Sequence, residues 1–170
     1  KHANPLQFGK SWYLRCVGHN RQSLIHYAAV LGRNRILKHL IVKLKHAVDV
    51  QDINSECAIH IVCRTGNLKA AQILLDARDS NIHVRQRYEY TPLHIAAMNG
   101  HAKLVKMLLK RGSSPMHHTK GGMTALYLAD RNGHVLVSQI LYDFVAEKSR
   151  ISTGGGGEGE EGSVVIGRLE

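Results

Sequence analysis

Aromatic side chains are scarce, at 5% of 170 residues and with a single Trp. An interior built without them must be filled by small and aliphatic groups, which suits closely stacked short helices better than a β-sandwich. Cysteine is equally thin. Cys16, Cys57 and Cys63 form an odd set in apolar stretches, which points to reduced thiols in an intracellular protein and away from a disulfide framework. No apolar run approaches the roughly 18 residues a membrane span needs. No Asn-X-Ser/Thr acceptor with a permissive middle residue is present either. The chain opens at Lys1 with no Met and no signal-type segment, as expected of an excised fragment. Its hydrophobic share of 44% nevertheless suffices for a folded core at this length.

Carboxylates are the other shortage, with 13 Asp/Glu against 23 Lys/Arg for a net charge of +10. The imbalance is uneven: 22 Lys/Arg face 9 Asp/Glu through Thr153, whereas one Arg faces four Glu from Gly154 onward. A body this basic attracts acidic partners and speeds their encounter. The plainer reading of the same charge is a solvated surface that keeps the protein soluble. Carboxylates so few and scattered do not supply the several oxygens a hard cation wants.

What the chain does have is a period. Thr91-Pro92-Leu93-His94-Ile95-Ala96-Ala97 is followed by Asn99-Gly100-His101, then Val105, Leu108, Leu109 and Gly112. Stepping back 34 residues finds Cys57-Ala58-Ile59-His60-Ile61-Val62-Cys63, with Gly66, Leu74 and Leu75 in matching places. Another 34 back stand Ser23-Leu24-Ile25-His26-Tyr27-Ala28-Ala29, Gly32, Leu40 and Ile41. Forward by 33 come Thr124-Ala125-Leu126-Tyr127-Leu128-Ala129, Asn132-Gly133-His134 and Leu141.

Each piece of the unit has a mechanical reason. Thr91 suits an N-cap, its hydroxyl accepting from a free backbone N–H of the first turn. Pro92 at the first helical position loses nothing, because that N–H has no intrahelical partner. Leu93, Ala96 and Ala97 sit at helical spacing, with alanines small enough for helices to approach closely. Gly100 ends the helix in the left-handed conformation that bulkier residues resist. Lys103 to Lys110 predicts a second amphipathic helix with Leu104, Met107 and Leu108 inward, closed by Gly112.

Thr-Pro-Leu-His-x-Ala-Ala followed by Asn-Gly-His resembles the ankyrin repeat, a β-turn plus two antiparallel helices of about 33 residues. The likeness runs from about Asn20 to Val145, and the third unit is close to consensus. It implies an all-α solenoid of about four repeats with hairpin fingers, and a protein that binds others through those fingers and the inner-helix face. The expected layout is an N-terminal capping segment at 1–19, repeats at about 20–52, 53–86, 87–119 and 120–149, and a tail at 150–170. The family's repeat histidines are expected to hydrogen-bond between adjacent units. Tyr127 in place of that His, with Asp130 for the second Ala, therefore suggests a terminal, cap-like fourth unit.

In the family's geometry the fingers are Asp52 to Glu56, Arg85 to Tyr90 and His117 to Gly122. The middle finger holds Arg85, Arg87, Tyr88 and Tyr90, and Arg and Tyr are frequent interface hot spots. Tyr88 and Tyr90 have no core position to fill in the repeat. The next finger carries His117, His118 and Lys120. The concave face is expected to present Val30, Leu31, Arg64, Thr65, Met98, Asn99, Arg131 and Asn132, with Arg64 and Arg131 available to a partner's carboxylates. The expected partner is a protein with an acidic or extended segment, met in cytosol or nucleus by an adaptor or inhibitory subunit. The alternative is nucleic-acid binding by the basic body. Against it, Arg33, Arg35, Lys38, Lys43, Lys69, Lys103 and Lys106 spread over the outer helices without a known DNA- or RNA-reading module.

Catalytic and metal readings are weak, and no cofactor is expected. Cys57, His60 and Cys63 have metal-like spacing, yet on a helix the outer two lie roughly 120° apart. They also fall on repeat positions, where packing explains them. Gly9-Lys10-Ser11 ends like a phosphate loop, but Asn4 stands where an earlier Gly belongs. No Ser/His/Asp set or carboxylate pair shares a recognisable motif. The tail joins a Gly154 to Gly157 linker, an acidic Glu158 to Glu161 stretch and a β-prone Val164-Val165-Ile166 run. Three readings fit it: a disordered terminus, a tethered peptide in which 158–169 docks on the body, or a recognition strand for another protein.

Overall fold

The computed structural model describes residues 20–43, 48–77 and 80–153, and the proposed capping segment 1–19 lies outside them. The described residues form eight helices in four pairs: α1 (Leu24–Val30) with α2 (Asn34–Lys43), α3 (Ala58–Thr65) with α4 (Leu68–Leu75), α5 (Pro92–Met98) with α6 (Ala102–Lys110), and α7 (Ala125–Arg131) with α8 (Val135–Thr153). The odd-numbered helices pack side by side in one row and the even-numbered ones in a second. This is the expected stack of paired helices.

The helices begin and end where their chemistry says they should. Thr91 and Thr124 accept from the amides of His94 and Tyr127 at 3.4 and 3.2 Å. Pro92 opens α5 without losing a bond. Between the rows runs one apolar seam, including Ile25, Leu37, Ile59, Leu74, Leu93, Leu104, Leu108 and Leu141. Cys57, Ala58, Val62, Cys63, Ala70, Ala71, Ala96, Ala97, Ala125 and Ala129 are buried among them, so small residues sit where neighbouring helices come closest.

Two glycines do more than end a helix. Gly66 and Gly100 take φ of +72° and +74°, which L side chains resist. A Cβ on either would also lie 2.6 Å from the imidazole of the following unit, His101 or His134 respectively. The last helix, α8, runs from Val135 to Thr153, and Phe144 packs half-buried against the core.

Candidate protein-binding surface

The fingers rest on a histidine ladder. The backbone N–H groups of Ser23, Cys57 and Thr91 each donate to Nδ1 of the histidine three residues on, at 3.1, 3.1 and 3.2 Å. Nδ1 is thereby the acceptor, which leaves Nε2 as the N–H. That Nε2–H reaches forward to the loop leading into the next first helix, donating from His26 to the Glu56 carbonyl (2.9 Å), from His60 to Val84 (3.2 Å) and from His94 to His117 (2.9 Å). Such a ring works only when neutral. Burial, offset in part by the carbonyl partners, lowers both His60 and His94 from 6.5 to about 4.

A second set points backward. His101 Nε2 lies 3.0 Å from the Arg64 carbonyl and His134 Nε2 3.0 Å from that of Met98. The ends of α3 and α5 are thus each tied to the unit that follows. Recurrence of a His after the Gly is visible in the sequence, but its partner one unit earlier is not.

Each finger is a three-residue hairpin. Asp52, Gln86 and Thr119 amides donate to the carbonyls of Glu56, Tyr90 and Met123 at 3.0, 3.1 and 2.9 Å. A left-handed residue closes each turn: Ser55 (φ 57°), Glu89 (φ 62°) and Gly122 (φ 74°). Successive fingers are also stitched together. Ile53 N–H donates to the Asn20 carbonyl, Arg87 to Asn54 and Lys120 to Tyr88, at 3.1, 3.0 and 3.0 Å. The tips therefore form a hydrogen-bonded edge, with the side chains of Arg87, Tyr88 and Lys120 exposed along it.

The expected site residues divide on this frame. Arg87, Tyr88, His118 and Lys120 are exposed side by side on the third and fourth units, Tyr88 at 59%. Arg87 and Lys120 have no ion-pair partner among the described residues. Arg85 is exposed but engages Glu89 at 2.8 Å. His117 is half-buried, its ring edge-on to His83 with centroids 5.5 Å apart. Tyr90 corrects the expectation that it fills no core position: it packs half-buried against the core, edge-on to His94 at 6.1 Å.

Of the residues expected on the concave face, Arg131 is exposed, whereas Arg64 already pairs with Glu56, whose carboxylate is largely buried. Asn99 and Asn132 spend their side-chain amides on the Ile95 and Leu128 carbonyls, at 2.8 and 2.7 Å, and so cap their own helices. Met98 is half-buried, while Val30, Leu31 and Thr65 are exposed. Val164, Val165 and Ile166 lie outside the described residues, as does the whole 158–169 segment.

The Cys57, His60, Cys63 set is packing material. Both cysteines are fully buried; burial, reinforced by Asp49, Asp52 and Glu56, pushes the Cys57 thiol up to about 12, and burial raises Cys63 as well. Among the described residues no group of three His, Cys, Asp or Glu is placed to hold a metal ion, and no helix is long and apolar enough to cross a membrane.

Comparison with known proteins agrees with this geometry. Residues 25–119 match the family model for ankyrin repeats, in three copies. The chain belongs to the ankyrin-repeat family. Repeats of this family are protein–protein interaction modules. Relatives of this ankyrin-repeat chain include the regulatory protein NPR1 of Arabidopsis thaliana, 35% identical over 89 residues, which are 52% of this chain and 15% of the relative. The E3 ubiquitin-protein ligase XBAT32 of the same plant is 27% identical over 163 residues, covering 78% of this chain and 31% of the relative. The transient receptor potential cation channel subfamily A member 1 of Homo sapiens is 28% identical over 121 residues, covering 70% of this chain and 11% of the relative. The chain thus spans less than a third of the length of these ankyrin-repeat relatives.

Proposed function

We propose that this chain is a non-catalytic adaptor or inhibitory subunit that binds an acidic, extended segment of another protein across the fingers of its third and fourth units. One observation carries the reading. From Ser80 to Ala129 the only carboxylate is Glu89, against seven Lys/Arg, and Glu89 is occupied by Arg85. Arg87 and Lys120 are left to pair with an incoming anion, and Tyr88 between them supplies rigid contact area. Arg131 at the concave end extends the same charge. An extended peptide fits because the fingers form a long, hydrogen-bonded edge rather than an enclosed cleft.

Among the relatives, one is named a regulatory protein and others E3 ubiquitin-protein ligases, which accords with a partner-recognition role inside a larger protein. Cytosol or nucleus is the compartment this reading favours, since buried free thiols suit a reducing environment.

The test is the pair Arg87→Glu with Tyr88→Ala, used in pull-downs from lysate and in titration with an oligo-aspartate peptide. Binding is expected to vanish while the melting temperature stays put; a pair that unfolds, or that still binds, removes the reading. Titration with random duplex DNA decides the alternative, because tight, steeply salt-dependent duplex binding would assign the charge to nucleic acid. A shorter chain ending at Thr153 tests the tail: if it captures a partner that the full chain misses, residues 158–169 occupy the binding surface.

A further inference from the structure

We infer that the imidazole cluster His83, His117 and His118 makes this finger surface a proton-tuned site, which grips a segment of clustered carboxylates more tightly as the pH falls below neutral. The inference rests on the acidic-partner reading above and adds what regulates it.

The cluster is built by the stack. His83 and His117 come from consecutive loops, and their rings meet edge-on at 5.5 Å. His118 stands next in the chain, exposed, as His83 is. Neither loop is free to spread when charge arrives. The Val84 carbonyl is held by His60, that of His117 by His94, and the Lys120 amide is tied to Tyr88. The charged groups facing His117 are Arg85 and His83 from the preceding loop and His118 from its own. Of the carboxylates on the flanking loops, Glu89 is engaged by Arg85 at 2.8 Å, and Asp49 accepts from the Asn81 amide at 3.2 Å, two residues from His83. A proton added to His117 therefore meets the Arg85 cation.

Partial burial first, then Arg85, His83 and His118, hold the His117 ring below the ordinary histidine range. A bound polyanion supplies counter-charge and so favours the protonated ring of His117. Linkage makes this reciprocal: if the anion favours protonation, protonation favours the anion by the same factor. Unperturbed imidazole titrates near neutrality, so the change falls in a physiological window. The interior rings of His60 and His94 are silent there, being held down to about 4.

The experiment is a titration of the full chain with a labelled oligo-aspartate peptide at constant ionic strength, from about pH 8 to about pH 5.5, where imidazole titrates and aspartate stays ionised. Affinity is expected to rise about tenfold across the window. Calorimetry in buffers of different ionisation enthalpy should show proton uptake on binding. The triple variant His83→Gln, His117→Gln, His118→Gln should bind as wild type at the alkaline end and lose the slope and the proton uptake. Circular dichroism at each pH confirms the fold. Should the half-buried His117 not tolerate substitution, His83→Gln with His118→Gln alters only exposed rings and should flatten the profile in part. Peptide binding that ignores pH, or a slope that survives in the variants, overturns this inference and leaves the acidic-partner reading standing. Absence of peptide binding at every pH overturns both.

Discussion

The seam between units and the row of finger tips are built from the same residue types and put them to opposite uses. Inside, His60 and His94 are neutral, each ring bonded to backbone at both nitrogens, and each ties the start of a first helix to the loop that leads into the next one. Outside, His83 and His118 are exposed on the loops. Arginine divides the same way: Arg64 is tied to the largely buried Glu56, while Arg87 has no ionic partner among the described residues. A side chain in the seam is fixed by the repeat, and one at the tips is released by it. Mutations should therefore separate cleanly into losses of stability and losses of binding.

The largest effect expected is on the pH dependence of stability. Both His60 and His94 are bases whose folded pKa, about 4, lies below the ordinary 6.5. Between those values the unfolded chain takes up protons that the fold refuses, so stability falls with the pH. It should be complete above about pH 6.5, decline towards about pH 4 and level off below, by on the order of 3 kcal/mol per ring at most. Urea denaturation across that range measures it, and a flat profile would place these rings in water. His94→Ala comes next. It orphans the Thr91 amide and the His117 carbonyl at once, which should lower unfolding stability by about 2–4 kcal/mol at neutral pH.

Glycines sharpen the comparison further. Gly100 and Gly133 share nearly the same left-handed φ, +74° and +73°, but only Gly100 faces an imidazole of the next unit. Gly133→Ala should cost about 1 kcal/mol for backbone strain alone, and Gly100→Ala measurably more. Equal losses would mean that the His134 ring moves aside freely. Smallest of all should be the effect of Arg87→Glu with Tyr88→Ala on stability, within about 0.5 kcal/mol.

The same division governs what the sequence reveals. Seam residues recur at one spacing, so His26, His60 and His94, the capping Thr91 and the helix-ending Gly100 are legible before any coordinates. Tyr127 at the fourth His position is equally legible as a change, and the ring is indeed exposed. Tip residues do not recur, and their sorting depends on distances that spacing does not encode. Tyr90 reads as a finger residue, yet its position next to Thr91 carries it back against His94. Asn99 reads as concave surface, but it stands one turn from the Ile95 carbonyl and caps it. Arg64 pairs with a residue eight positions earlier, brought close only by the turn into α3.

The most direct measurement sets Leu74→Ala, a fully buried seam change away from the fingers, beside the pair Arg87→Glu with Tyr88→Ala, each followed by urea unfolding and by oligo-aspartate affinity well below its unfolding midpoint. A crossed result is expected: the seam variant loses stability and keeps its affinity, and the finger pair keeps its stability and loses binding. Variants that lose both properties together, or a finger pair that binds undiminished, would contradict it.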